Sequence, residues 1–162
     1  MMRLYLIRHA VAEEAEGRFL DPLRALTAKG RRRFRRSARA FADLGEAVDA
    51  ICTSPMLRSV QTAEILAGAL RHDEVRILDE LRPDAAVDPL LARLAEMEFA
   101  SVALVGHKRL LSELAAELVG ADDASRMRMK HGVISRIDVR KLSESSAKPR
   151  WRLTPAGSAP FV

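Results

Sequence analysis

The stretch Leu4-Tyr5-Leu6-Ile7-Arg8-His9-Ala10, LYLIRHA, decides how this chain is built. A short continuous apolar run of this kind fits a strand covered on both faces, and a strand is predicted over residues 3–8. Arg8 and His9 follow at once, although protein interiors avoid both residue types. A strand ending this way carries a fixed cation and an imidazole out of the core to the edge of a sheet.

Outward from there, strand and helix signals alternate, with no repeat and no low-complexity linker. After the polar loop EEAEGRFLDPL, Thr27 is placed to cap a helix running to about Leu44. Phe34, Ala38 and Phe41 recur at helical spacing on one side of it, and Arg32, Arg36 and Arg39 fall on the other. AVDAICT is a second strand, and Ser54-Pro55 reads as the N-cap and first position of the next helix. Met56, Val60, Ala63, Ala67 and Leu70 form its apolar line.

Further on, VRIL is a short strand, VDPLLARLAEM a helix opened by Asp88 and Pro89, and SVALV a fully apolar strand. Gly106-His107 then turns the chain into a helix with Leu110, Leu114 and Leu118 on its core side. GVISRIDV and PRWRLTP, separated by the polar run RKLSESSAK, read as a hairpin or as neighbouring strands. The succession predicts an α/β three-layer sandwich, a mostly parallel central sheet flanked by helices.

Composition sets the outer limits. With 162 residues, 48% hydrophobic and 30% charged, the expectation is one soluble domain over residues 1–162 with a real core. No apolar run approaches the roughly 18 residues of a membrane span, and no signal-peptide pattern opens the chain, so a cytoplasmic protein without a membrane partner is expected. Cys52, the single cysteine, has no partner for a disulfide and sits in an apolar strand, where it reads as a small buried hydrophobe. A net charge of +5 favours acidic or phosphorylated partners; with aromatic residues at only 4%, stacking platforms for nucleic acid are few and that partner is disfavoured.

In sheets of this class ligands bind beyond the carboxyl ends of the parallel strands. Arg8-His9, the segment from Ser54 to Arg58, and Gly106-His107 each follow such an end, so the three clusters should meet. Two arginines and two histidines at helix N-termini describe an anion site, and the planar fork of arginine matches a phosphoryl group. A neutral imidazole is a nucleophile at pH 7, and His9 between guanidinium groups would keep its lone pair free. No GxxxxGK[ST] loop, no HExxH and no Ser or Cys nucleophile with a matching base occurs, and histidines flanked by arginines make a poor cation site. Neither a metal nor another cofactor is implied.

LYLIRHA, TSPMLRSVQTA and LVGHKRLLSEL, in this order, resemble the histidine phosphatase (phosphoglycerate mutase-like) superfamily. The short chain, Ala10 where most members have glycine, and RALTAKG between the motifs are similar to the SixA-type phosphohistidine phosphatases, its compact bacterial branch. The resemblance runs from Leu4 to about Ile137 and implies that fold. It also implies His9 as the residue that becomes phosphorylated, with Arg8, Arg58 and His107 binding the phosphoryl oxygens. Glu80 in LDELRPD matches the carboxylate that protonates the leaving group in the wider superfamily, and Arg24 in RALTAKG is near the site by the same pattern or else part of a surface salt bridge.

Other polar residues have blander readings. His72 fits a helix C-terminal charge cap, and His131 a structural or rim position before a strand. Lys130 is read in the same way as Arg24. RRRFRR reads first as a solvated helix face and second as a docking surface for an acidic protein. Three functions compete on these grounds. The leading one is a phosphatase acting on phosphohistidine in a signalling or phosphotransfer protein, through a covalent phosphohistidine on the enzyme. The others are a phosphatase for small phosphomonoesters and a basic module that binds phosphorylated or nucleic-acid ligands without turnover.

Overall fold

The computed structural model describes residues 1–15, 21–122, 124 and 127–159, with the backbone alone at 158–159. Part of the loop EEAEGRFLDPL, residues 16–20, thus lies outside the described residues. Among the described residues there are seven strands: β1 (Met2–Arg8), β2 (Ala50–Thr53), β3 (Arg76–Ile77), β4 (Ser101–Gly106), β5 (Ile134–Val139), β6 (Lys148–Thr154) and β7 (Gly157–Ala159). The α-helices described are α1 (Ala28–Asp43), α2 (Leu57–Leu70), α3 (Val87–Glu96) and α4 (Lys108–Val119).

The strands form one sheet in the order β3-β2-β4-β1-β5-β6-β7. β3, β2, β4 and β1 run parallel, each return passing through a helix, while β5, β6 and β7 join antiparallel. The last strands are thus the neighbours read from their alternation. Register fixes what shares an edge: Arg8 lies opposite Gly106, Val105 opposite Thr53, and Thr53 opposite Ile77. The carboxyl ends of all four parallel strands finish level.

Alternation along the strands divides the core in two. Leu4, Leu6, Cys52, Val102 and Leu104 pack with Leu90 and Leu94 of α3 and Leu110, Leu114 and Leu118 of α4. Tyr5, Ile7, Ile51, Ala103 and Val105 face the other way, onto Phe34, Ala38 and Phe41 of α1 and Ala63 and Leu66 of α2. This is the three-layer sandwich. Cys52 is fully buried, and burial pushes its thiol up to about 11, the state of an inert packing group.

Helix α1 starts as its sequence dictates, with the Thr27 hydroxyl accepting from the Gly30 N–H at 2.9 Å. Helix α2 departs from expectation. It begins at Leu57 with Met56 as its N-cap, two positions beyond the Ser54 reading, because the Ser54 hydroxyl is engaged in the site described next. Its buried side is Arg58, Ser59, Thr62, Ala63, Leu66 and Ala67, whereas Val60 and Leu70 are only half-buried. Polar residues interrupt the expected apolar line, and Thr62 is satisfied there: its hydroxyl donates to the Arg58 carbonyl at 2.7 Å and accepts from the Ala10 N–H at 3.0 Å.

At the opposite edge of the sheet, Asp138 is buried between Arg136 and Arg150, and Arg136 reaches on to Glu46, which accepts from the Tyr5 hydroxyl. The two guanidinium groups hold the Asp138 carboxyl below its ordinary range, and burial raises the Tyr5 hydroxyl to about 12. The network ties β1, β5 and β6 together far from the carboxyl ends. His72 also sits on that side, its ring facing the carbonyls of Asp49 and Glu74 just after α2.

Candidate active site

His9 leaves β1 with its backbone N–H bonded to the Gly106 carbonyl, so the ring stays registered against β4. Its Nδ1 lies 2.8 Å from the Ala10 carbonyl, which can only accept; Nδ1 therefore carries the proton and Nε2 keeps its lone pair. The side chain is buried, and burial, aided by the charges of Arg58 and its histidine neighbours, pushes its pKa down to about 3. A neutral ring with a free nitrogen results at physiological pH.

His107 forms the N-cap of α4, directly after β4, and its ring centre lies 5.4 Å from that of His9. Its Nε2 is 2.9 Å from the Ser54 hydroxyl, leaving Nδ1 as the ring nitrogen without a partner among the described residues. Burial and the cations Arg58 and Arg8 lower its pKa to about 4. Ser54 also accepts from the Met56 N–H at 3.3 Å, so the turn between β2 and α2 positions the second histidine.

Two guanidinium groups complete the cluster. Arg8 donates from Nη1 to the Met129 carbonyl at 3.2 Å, and Arg58, buried in the first turn of α2, donates from Nη1 to the Asp21 carbonyl at 3.0 Å. In both, the buried Nε–H has no partner among the described residues. An orphaned buried donor on a charged group is costly unless a ligand satisfies it. Helices α2 and α4 both open here without a side-chain cap, adding first-turn N–H groups and the positive ends of their dipoles. Chemically, the arrangement is an oxyanion cradle with a nucleophilic nitrogen in it.

The structure therefore brings together Arg8, His9, Arg58 and His107, as the strand ends predict. Arg24 is held one step back: it pairs with Asp21 at 2.9 Å, and the same carboxylate lies 3.6 Å from Arg58. Both readings of Arg24 thus apply, a salt bridge that also steadies a site residue. Glu80 lies in a single 3-10 turn right after β3, on the same carboxyl edge, half-buried and without a hydrogen bond or ion pair among the described residues. No cluster of three or more His, Cys, Asp or Glu suited to a metal ion occurs among the described residues.

Sequence reasoning missed three participants. His131 is solvent-exposed, in keeping with a structural or rim position, and its ring centre is nevertheless 5.3 Å from that of His9. It reaches the site because β5 is antiparallel to β1, which brings the start of β5 to the edge where β1 ends; the Gly132 N–H bonds the Arg8 carbonyl at 2.9 Å. Burial and nearby cations lower its pKa to about 4. Ser54 and Asp21 carried a signal only as turn residues next to the motifs.

The sequence profile of the histidine phosphatase superfamily (branch 1) matches residues 4–83. An uncharacterized protein of Picosynechococcus sp. is 34% identical over 132 residues, covering 80% of either chain. The chain belongs to the histidine phosphatase superfamily. Among solved structures, the protein histidine phosphatase SixA complexed with tungstate shares this fold with a TM-score of 0.85 at 24% identity, over 96% of this chain and 98% of that one. The alpha-ribazole phosphatase of Shigella flexneri also shares it, with a TM-score of 0.75 at 22% identity, over 92% and 95% of the two chains. This histidine phosphatase superfamily member is a phosphatase, and no helix among its described residues is long and apolar enough to cross a membrane.

Proposed function

We propose that the enzyme removes phosphate from phosphohistidine on a protein, through a covalent phospho-His9 intermediate. The observation that carries this reading is His9 itself, held neutral with its Nδ1–H on Ala10 and its free Nε2 among buried guanidinium donors. In the first step Nε2 attacks phosphorus and the P–N bond of the substrate breaks. A substrate imidazole protonated on its distal nitrogen departs neutral, so it needs no further proton from the enzyme. In the second step water attacks phosphorus, the P–Nε2 bond breaks, and phosphate leaves with His9 restored.

Arg8, Arg58 and His107 bind the phosphoryl oxygens throughout. With Ser54 donating its hydroxyl proton to Nε2, His107 presents Nδ1–H as a neutral donor. Charge that spreads over the oxygens in transfer meets fixed donors that need no reorganisation. Two grooves of about 700 and 690 Å³ adjoin the site, both bordered by Arg8 and Lys130, which suits a macromolecule better than a small ligand enclosed on all sides.

A second reading, hydrolysis of small phosphomonoesters, is favoured by Glu80, an unengaged carboxylate on the same edge. An alkoxide leaving group is strongly basic and would require that acid. Turnover of free phosphohistidine and of p-nitrophenyl and alkyl phosphates by wild type, His9→Ala and Glu80→Gln separates the two. The proposal expects His9→Ala to lose at least about 10³-fold on phosphohistidine and Glu80→Gln to lose little. Preferred turnover of alkyl phosphates, with strong dependence on Glu80, would establish the second reading instead.

A further inference from the structure

The positive charge of the chain is concentrated on one helix. Helix α1 holds seven Lys and Arg residues against one Asp, so the remainder of a chain of net charge +5 is close to neutral. Elsewhere several exposed arginines have carboxylate partners: Arg76 with Glu74, Arg82 with Asp79, Arg93 with Glu96, Arg109 with Glu113. On α1 none of the seven cations makes an ion pair or a hydrogen bond through its side chain among the described residues, and five of the arginines are exposed.

This cationic surface is continuous with the catalytic pocket. The groove of about 700 Å³ runs from Arg8 and His131 at the site, past Lys130, to Arg33 and Arg36 on α1. Ala10, Val11 and Phe34 give it an apolar lining, and among the described residues that border it none is acidic. Its volume is that of a site for a large ligand or a few residues of extended chain, and its lining places Arg33 and Arg36 beside whatever carries the phosphoryl group.

We propose that this groove docks an acidic segment of the phosphorylated substrate protein, with Arg33 and Arg36 determining specificity. The inference rests on the phosphohistidine reading above. Continuity with the pocket favours the phosphoprotein over nucleic acid, since one occupant then explains both the catalytic cradle and the unpaired arginines. Such charges act mainly on encounter and on substrate affinity, and salt weakens them.

The test uses two histidine peptides phosphorylated with phosphoramidate, identical except that Glu or Lys flanks the histidine, together with free phosphohistidine. Wild type should prefer the Glu peptide by about tenfold or more in kcat/KM, through KM, and lose the preference near about 0.5 M salt. Arg33→Glu/Arg36→Glu should abolish the preference while free phosphohistidine turnover stays at the wild-type level, which also shows that the variant folds. Equal use of both peptides by wild type, or a preference surviving the double reversal, would overturn the docking site alone. Loss of duplex DNA binding in the variant with peptide preference intact would overturn it in favour of nucleic acid. No turnover of any phosphohistidine compound would instead refute the proposed function.

Discussion

At the scale of single residues, function depends on which ring nitrogen is left free. His9 has its Nδ1–H fixed by Ala10, and His107 has its Nε2 fixed by Ser54, so the two rings present opposite nitrogens. A turn hydroxyl thereby sets the tautomer of a group proposed to bind the phosphoryl oxygens. Ser54→Ala removes that constraint without touching the proposed nucleophile. The expected result is a fall in kcat/KM of about tenfold, the worth of one buried hydrogen bond, with the phosphoenzyme still formed on His9. Steady-state kinetics on phosphohistidine checks it.

At the scale of elements, α1 and the segment after His9 are locked together. Val11 accepts from the Thr27 N–H at 3.0 Å, and a Cβ on Gly30 would collide with the same carbonyl. Alanine in a helix ordinarily gains on glycine by about 0.5–1 kcal/mol. Gly68 in α2, with nothing near its missing Cβ, should follow that rule: Gly68→Ala raises stability. Gly30→Ala should show the opposite sign, losing about 1–3 kcal/mol as backbone is pushed aside, and should lower activity because that backbone holds Ala10 and hence His9. Urea unfolding of the two variants decides the signs.

The elements also show what a sequence can disclose. The apolar run of β1 and its abrupt polar end identified a parallel strand and its edge, and the edge rule assembled Arg8, His9, Arg58 and His107 from distant segments. That rule concerns the ends of parallel strands. His131 precedes an antiparallel strand, and only the pairing of β5 with β1 makes its start an edge residue. Helix α2 was mispositioned because Ser54 has the chemistry of a cap, while its hydroxyl is drawn to His107 across the sheet edge. Thr62 and Arg58 on the buried side of α2 break apolar periodicity for the same reason, since their partners come from other elements.

At the scale of the whole molecule, three histidines kept neutral in one pocket tie stability to pH. Their folded pKa values of about 3 for His9 and about 4 for His107 and His131 lie below the ordinary 6.5. Below pH 6.5 the unfolded chain therefore takes up protons that the folded chain refuses, and stability falls as pH drops toward the folded values. For buried His9 and His107 the loss approaches about 1.4 kcal/mol per pH unit each. Between pH 6.5 and about pH 5 carboxylates contribute little, so urea midpoints should fall with acid over this window, and more shallowly in His107→Gln.

The central claim is that His9 carries the phosphoryl group between substrate and water. Incubation with phosphoramidate, an alkaline quench and mass-spectrometric mapping of the peptide containing residues 9 and 10 test it directly. The account predicts an acid-labile, alkali-stable phosphate on His9, absent from His9→Ala and trapped more fully as turnover is slowed. A phosphate mapped to another residue, or unchanged phosphate release by His9→Ala, would contradict it.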